Sequence, residues 1–185
     1  MCRKRVIAIG GILGLSLLLP GPRAAAAEPL TAVSSIDLPR YMGTWYEISK
    51  YPNWFQKKCQ SDTSANYGPQ SDGSVRVVNR CKMADGNWAE AVGQAVQVGG
   101  ADSPKLQVRF APWWLSFLPM VWGDYWVIDL DDGYRLAAVS EPSRTYLWVL
   151  SRTPSVDAAA YRDLLKRLEA KGFDLTKLEA PVGVR

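Results

Sequence analysis

The sequence predicts an all-β fold, an eight-stranded antiparallel up-and-down barrel with one C-terminal α-helix packed outside it. Short segments in which apolar and polar residues alternate follow one another along the chain, and turn-forming residues separate them. A run of such strands removes its free edges by closing into a barrel, and eight strands leave room for one small ligand. The predicted strands cover residues 43–51, 62–68, 75–81, 88–98, 105–111, 124–130, 134–140 and 145–152.

Turns and a single helix complete the predicted domain. Residues 70–73, 99–102 and 131–133 contain the Gly and Asp residues that are typical of tight turns. After the last strand, Asp157 is the expected N-cap of a helix, and Gly172 is expected to end it at the C′ position. One apolar face of this helix is expected to pack on the barrel. That face consists of Tyr161, Leu164, Leu165 and Leu168.

Residues 1–27 are predicted to be a cleaved signal peptide, which leaves residues 28–185 as a single domain. A basic start is followed by the apolar run 6–19 and by small residues before a cleavage point between Ala27 and Glu28. The apolar run is shorter than the ~20 residues that span a bilayer, although a retained membrane anchor is the alternative. Only Cys2 occurs early in the chain, so the Cys that carries a lipid anchor is missing after the apolar run. We therefore expect an exported protein, periplasmic or associated with the outer membrane, without an attached lipid.

Charge argues against electrostatic recognition of a partner. The whole chain has 22 basic and 18 acidic residues, and four of the basic ones lie in residues 1–27. Residues 28–185 therefore carry 18 of each sign and are neutral, which does not favour nucleic acid as a partner.

The composition also argues against an enzyme. The chain contains no His, which excludes an imidazole base, a Ser-His-Asp arrangement and a His-bearing zinc site. A P-loop, a dinucleotide-binding fingerprint and an EF-hand are absent as well. We predict a protein that is not an enzyme, with no catalytic residues, no metal and no cofactor.

Cys59 and Cys81 are predicted to form a disulfide. An even number of cysteines in an exported chain favours a bond, and the second and third strands place these two nearly opposite one another across a hairpin. Two free buried thiols remain the alternative.

Three short motifs, in order along the chain, give the sequence a resemblance to a known family. Gly43-Thr44-Trp45 stands at the entry to the first strand, Gly123-Asp124-Tyr125 at the start of the sixth, and Arg152 at the end of the last. Together they resemble the three motifs of the lipocalin family, over roughly residues 35–179. The longer strings 124–130 and 146–154 are similar to the bacterial outer-membrane lipocalins and the apolipoprotein D group.

This resemblance implies a structural role for the floor of the barrel, which consists of Gly43, Trp45 and Arg152. In lipocalins the matching Trp closes the barrel, and the matching Arg lies across its indole as a cation–π pair. A buried Arg also needs acceptors. Backbone carbonyls near the floor or the carboxylates of Asp129 and Glu47 are the candidates.

The ligand-binding residues follow from strand alternation and from the resemblance. If Arg152 points inward, then so do alternate residues of the last strand, and the sixth strand contributes two more. A wall of Trp, Tyr, Leu and Val suits an acyl chain, although the same side chains could simply fill the barrel. The predicted ligand-binding residues are Trp148, Tyr125, Val127, Leu150 and Tyr146.

The segment 112–122, here called the mouth loop, is apolar where a loop is normally polar. It joins the fifth and sixth strands at the open end of the predicted barrel and contains Trp113, Trp114, Phe117 and Trp122. Four interpretations stay open. The loop is a lid, a patch that touches a bilayer, a hairpin extension folded into the barrel, or a homodimer interface.

The function that the resemblance implies is storage or transport of fatty acids or lysophospholipids, for membrane maintenance in the cell envelope and in stress responses. A carrier of a planar apolar molecule such as a carotenoid, retinoid or haem is the first alternative. A lipocalin-type enzyme that uses a free Cys, and an integral outer-membrane barrel, are less favoured alternatives.

Overall fold

The computed structural model describes residues 28–185, and the predicted signal peptide lies outside this range. Eight antiparallel strands pair in chain order, and the last pairs with the first, so that the sheet forms a closed up-and-down barrel. This confirms the predicted fold. The strands are β1 (Gly43–Lys50), β2 (Cys59–Pro69), β3 (Val75–Met83), β4 (Trp88–Gln97), β5 (Lys105–Arg109), β6 (Gly123–Leu130), β7 (Leu136–Ser140) and β8 (Leu147–Ser151).

Side-chain caps explain why β7 and β8 begin later than predicted. The Asp131 carboxylate accepts hydrogen bonds from the backbone N–H groups of Arg135 and Leu136, and Tyr134 has a φ of 55°. The residues before Leu136 therefore form a turn rather than a strand. The Glu141 carboxylate likewise accepts from the N–H of Thr145 at 2.5 Å, which holds the chain in a turn until β8 begins.

A short helix that was not predicted closes one end of the barrel. Helix α1 (Leu38–Tyr41) begins at Asp37, whose side chain accepts a hydrogen bond from the N–H of Arg40 at 3.1 Å. Pro39 stands in its first turn, where a missing N–H costs nothing. The helix places Tyr41, which is 2% exposed, across the bottom of the barrel.

The C-terminal helix packs outside the barrel, as predicted. Helix α2 (Ala158–Ala170) begins at Asp157, whose carboxylate accepts from the N–H of Ala160, and Gly172 follows its end with a φ of 84°. Its apolar face packs on the outer surface of β6, β7 and β8. The Arg167 guanidinium fixes the helix to β6 through two hydrogen bonds to Asp129, at 2.8 and 2.9 Å. Within residues 28–185 no helix is both long and apolar enough to cross a membrane.

The predicted disulfide is confirmed. Cys59 and Cys81 are bonded, with their Cα atoms 5.5 Å apart, and they link the outer ends of β2 and β3. Register shifts in β2 near Cys59 bring the two residues together. The bond ties this wide hairpin at the end of the barrel opposite α1.

The floor of the barrel is built around Trp45 and Arg152. Trp45 is fully buried, the Arg152 guanidinium carbon lies 4.1 Å from the centre of its ring, and the indole N–H donates to the Tyr41 carbonyl. Asp129 and Glu47 do not accept from Arg152, because Asp129 faces α2 and Glu47 bonds to Gln56. Backbone carbonyls serve instead, those of Arg40, Met42, Thr44 and Tyr134, at 2.6 to 3.2 Å.

Gly43 is required at the floor for a conformational reason. Its φ of 93° lies in the left-handed region that side chains disfavour, and a Cβ there would lie 3.4 Å from an Arg152 Nη1. The first motif therefore combines a glycine that lets the chain turn with a Trp that plugs the barrel.

Removal of the floor residues should destabilise the protein. We expect Trp45→Ala to lower the free energy of unfolding by about 3–5 kcal/mol, since it leaves a large cavity. Arg152→Ala should also destabilise, because four carbonyls lose their donor. Arg135→Ala, which removes an exposed ion pair near the floor, is the matched control and should cost less than about 1 kcal/mol. Urea denaturation measures all three. Unchanged stability with abolished ligand binding would contradict a structural role.

Candidate ligand-binding site

The barrel encloses a cavity of about 590 Å³, which opens at the end opposite α1. That volume lies in the range of small-molecule sites. The space exists because several inward positions carry no more than a methyl group. These are Ala65 on β2 and Ala89, Ala91 and Ala95 on β4.

Gly93 lies in the same row of small residues on β4, and its missing side chain leaves room for the ring of Phe110. A Cβ at Gly93 would lie 2.8 Å from Cδ1 of Phe110 and 2.6 Å from the carbonyl oxygen of Arg109. Both distances are shorter than real Cβ contacts, so the Phe110 ring occupies the place that a side chain would take. The Phe110 ring thereby forms part of the cavity wall.

Aromatic rings form the wall near the opening. The Tyr146 and Trp148 rings stack with centroids 5.8 Å apart, and Phe55 lies 5.5 Å from Tyr146 and 6.1 Å from Trp148. The Trp148 indole N–H donates to Gln56 Oε1 at 3.0 Å. The indole is therefore held in place, and it forms part of the cavity wall that an apolar ligand would contact.

Four of the five predicted ligand-binding residues line the cavity. They are Tyr125, Tyr146, Trp148 and Leu150, of which Tyr146 lies just before β8 rather than in it. Val127 points inward but is fully buried among the residues of the floor, so it supports the cavity from below.

Three tyrosines, here called the tyrosine cluster, occupy the closed end of the cavity. The hydroxyl of Tyr125 lies 2.9 Å from that of Tyr41 and 2.9 Å from that of Tyr67. Burial raises the pKa of Tyr67 to about 12 and raises those of Tyr41 and Tyr125 well above the ordinary value. The three phenols therefore stay protonated at neutral pH.

Glu47 is a cavity residue that the sequence prediction considered only as a partner for Arg152. Its buried carboxylate accepts from Gln56 Nε2 at 2.7 Å, and Lys50 Nζ lies 3.5 Å away and also contacts Glu179. Burial raises the pKa of Glu47, whereas the Gln56 bond and Lys50 lower it. The sequence does contain a signal for this residue. Glu47 lies two residues after Trp45 on β1, and strand alternation therefore places both side chains inside the barrel.

The mouth loop contains two 3₁₀ turns, Trp113–Leu115 and Pro119–Val121, so it is not a hairpin extension of β5 and β6. Its apolar side chains divide between two directions, since Val121 lines the cavity while Phe117 is 76% exposed and Trp114 58% exposed. The Trp113 side chain lies outside the described part of the structure. Trp122 packs near Arg109 and donates its indole N–H to the Ser116 carbonyl.

A second apolar loop stands at the same opening. Trp54 and Phe55, between β1 and β2, are 72% and 44% exposed, and the exposed residues Lys57 and Lys58 follow them. We call the exposed apolar side chains at the opening the rim. It consists of Trp54, Phe55, Trp114, Phe117 and Met120.

The sequence is similar to known proteins over most of its length. Residues 36–182 match a family model described as a lipocalin-like domain. The chain is 38% identical over 153 residues to temperature-induced lipocalin-1 of Arabidopsis thaliana, covering 82% of this chain and 81% of that protein. It is 36% identical over 149 residues to the outer membrane lipoprotein Blc of Escherichia coli K12, covering 80% of each. Mouse apolipoprotein D is 29% identical over 153 residues, which cover 78% of this chain and 75% of that protein.

Solved structures share the fold at lower sequence identity. Insecticyanin from the tobacco hornworm Manduca sexta superposes with a TM-score of 0.64 at 18% identity, covering 84% of this chain and 85% of its own. The cockroach allergen Per a 4 gives a TM-score of 0.61 at 18% identity, covering 81% and 89%.

The tyrosine cluster should make stability depend on alkaline pH. Because the pKa of Tyr67 is about 12 in the folded protein and about 10 when unfolded, the unfolded chain loses this proton first as the pH rises. This contribution to stability is present below pH 10 and should decline between about pH 10 and 12, by up to about 1.4 kcal/mol per pH unit. Urea denaturation of the protein and of Tyr67→Phe across this range should show a shallower slope in the variant. Equal slopes would contradict burial of the phenol.

Proposed function

The chain belongs to the lipocalin family, and we propose that it binds one fatty acid or lysophospholipid in the barrel cavity and carries it within the cell envelope. The observation that carries this proposal is a cavity of about 590 Å³ inside the barrel, walled mainly by aromatic and aliphatic side chains, closed by the floor and open at an apolar rim. Apolar walls favour a hydrocarbon chain, since its burial removes apolar surface from water.

The charged residues around the cavity favour a ligand whose head lies at the opening. Lys58, which directly precedes β2, is a lining residue at the mouth, whereas the Arg80 guanidinium stacks on the Trp88 ring, 4.2 Å from its centre. At the closed end, the Arg152 guanidinium is committed to four backbone carbonyls beneath Trp45. A carboxylate or phosphate therefore finds a cationic partner, Lys58, at the mouth, and the acyl chain points toward the tyrosine cluster.

The rim supports loading from a membrane surface. Exposed Trp and Phe side chains are typical of protein surfaces that enter the headgroup region, and Lys57 and Lys58 suit anionic lipids beside them. Trp54 and Phe55 line the cavity, and the mouth loop, which carries the other rim residues, contributes Val121 to the same lining. Contact of the rim with a bilayer would therefore let an acyl chain pass into the barrel without crossing water. This favours the bilayer interpretation of the mouth loop over the lid and dimer interpretations.

We further propose export by a signal peptide in residues 1–27 and a location in the periplasm or at the outer membrane. The similarity to the outer membrane lipoprotein Blc supports an envelope location. We propose a role in binding rather than catalysis. Within residues 28–185 both cysteines are joined in the disulfide, so a free thiol for cysteine-dependent chemistry is missing there.

Substitutions at the rim and on the wall should separate uptake from affinity. Changing Trp114 and Phe117 together to Ser should slow uptake of palmitoyl lysophosphatidylcholine from phosphatidylglycerol-containing vesicles, because the rim loses its apolar contact. Affinity for the same lipid below its micelle concentration should stay within a few-fold. Trp148→Ala should instead weaken affinity by about 1–3 kcal/mol, roughly 5- to 150-fold.

Stopped-flow transfer and equilibrium titration on the same variants decide between these effects. Val92→Ser, which removes an exposed apolar side chain from the outer wall of β4, is the control for a general loss of surface hydrophobicity. Uptake by Val92→Ser should match that of the unchanged protein. Unaltered uptake after the double rim change, or a loss of dimers instead, would assign the mouth loop to packing or assembly.

A further inference from the structure

The tyrosine cluster places polar hydroxyl groups at the base of the cavity. Binding of a hydrocarbon chain alone does not require polar groups there. Tyr41 comes from α1, Tyr67 from β2 and Tyr125 from β6, so three separate elements direct phenol hydroxyls to one point. All three residues line the cavity, and Tyr41 and Tyr67 are less than 9% exposed. The end of an acyl chain that reaches the base of the cavity therefore meets hydroxyl groups.

The tyrosine cluster has one more hydrogen-bond donor than its internal hydrogen bonds use. Three phenols carry three O–H groups, and the two contacts of Tyr125, with Tyr41 and Tyr67, use two of them. Among the described residues the three hydroxyls form no other hydrogen bond. Whichever way the chain of hydroxyls is oriented, one O–H is not used within the cluster, and it can donate to an oxygen that enters the cavity.

We propose that the tyrosine cluster is a second polar subsite, which takes a neutral oxygen, hydroxyl or carbonyl, at the far end of the bound chain. The preferred ligands are then amphiphiles with an ionic head at the mouth and an oxygen at the end that enters first, such as ω-hydroxy acyl chains. This inference rests on the proposed function, since it assumes that an acyl chain occupies the cavity with its head at the mouth.

The surroundings of the cluster select a neutral oxygen over a carboxylate. The nearest cation is Arg152, whose guanidinium lies on Trp45 and is bound to backbone carbonyls. It therefore has little capacity to pair with a second anion, and the tyrosines pack among apolar residues that include Trp45, Val75, Val77 and Leu106. A buried carboxylate there would lack a partner, whereas a hydroxyl or carbonyl oxygen accepts the spare phenol O–H.

Calorimetric titration with three matched ligands tests the subsite. We expect 16-hydroxyhexadecanoic acid to bind about fivefold or more tightly than hexadecanoic acid, and hexadecanedioic acid at neutral pH to bind no better than hexadecanoic acid. The titration is repeated with pairs of hydroxylated and plain fatty acids of shorter and longer chain length. The preference for the hydroxylated acid should be largest at the chain length that spans the cavity.

A variant that removes all three hydroxyls supplies the structural test. The triple change of Tyr41, Tyr67 and Tyr125 to Phe keeps the ring shapes and removes donors and acceptors together, which is nearly neutral for folding. In this variant the preference should reverse, with hexadecanoic acid binding more tightly than its hydroxylated form. Tyr146→Phe, which removes a cavity hydroxyl outside the cluster, should keep the original preference.

The outcomes separate the subsite from the proposed function. Tight binding of hexadecanoic acid with no preference for the hydroxylated acid would overturn the subsite alone. A preference that persists in the triple variant would also overturn it. Failure of hexadecanoic acid to bind would overturn both proposals.

Discussion

The stack of Arg152 on Trp45 is the interaction on which the rest of the structure depends. It joins the end of β8 to the start of β1, and the Arg152 guanidinium also bonds to carbonyls of α1 and of the turn before β7. The pairing of β1 with β8 closes the barrel, and this single side chain ties the ends of those two strands to the elements that close its lower end. Because the floor is packed with apolar side chains, a ligand of the cavity above it enters and leaves at the mouth.

A closed floor also determines how the interior is divided. Below the cavity, Trp45, Val127 and Val139 are fully buried and pack without space for a ligand. Above them, the alanines of β4 leave the volume empty on one side, while Trp148 supplies an aromatic wall on the other. The tyrosine cluster lies at the boundary between these two regions. Its hydroxyls are the last polar groups before the packed floor.

The sequence predicts the barrel well, because alternation and turn residues are local signals, and it predicts the floor through three motifs. It predicts strand ends poorly where a side chain accepts hydrogen bonds from backbone N–H groups and holds the chain in a turn, as Asp131 and Glu141 do. Helix α1 is too short for a periodic signal. The cavity and the tyrosine cluster depend on distances between remote elements, and neither the small residues of β4 nor Tyr41 and Tyr67 have a pattern that marks them as site residues.

Native mass spectrometry of the exported protein, purified without detergent and followed by lipid extraction, tests the central claim most directly. Binding of one acyl lipid in the cavity predicts a complex with a single added mass, identified after extraction as a fatty acid or a lysophospholipid. The added mass should disappear on delipidation and return on titration with that lipid. A purified protein that instead carries a coloured planar molecule, or that takes up no acyl lipid after delipidation, would contradict the account.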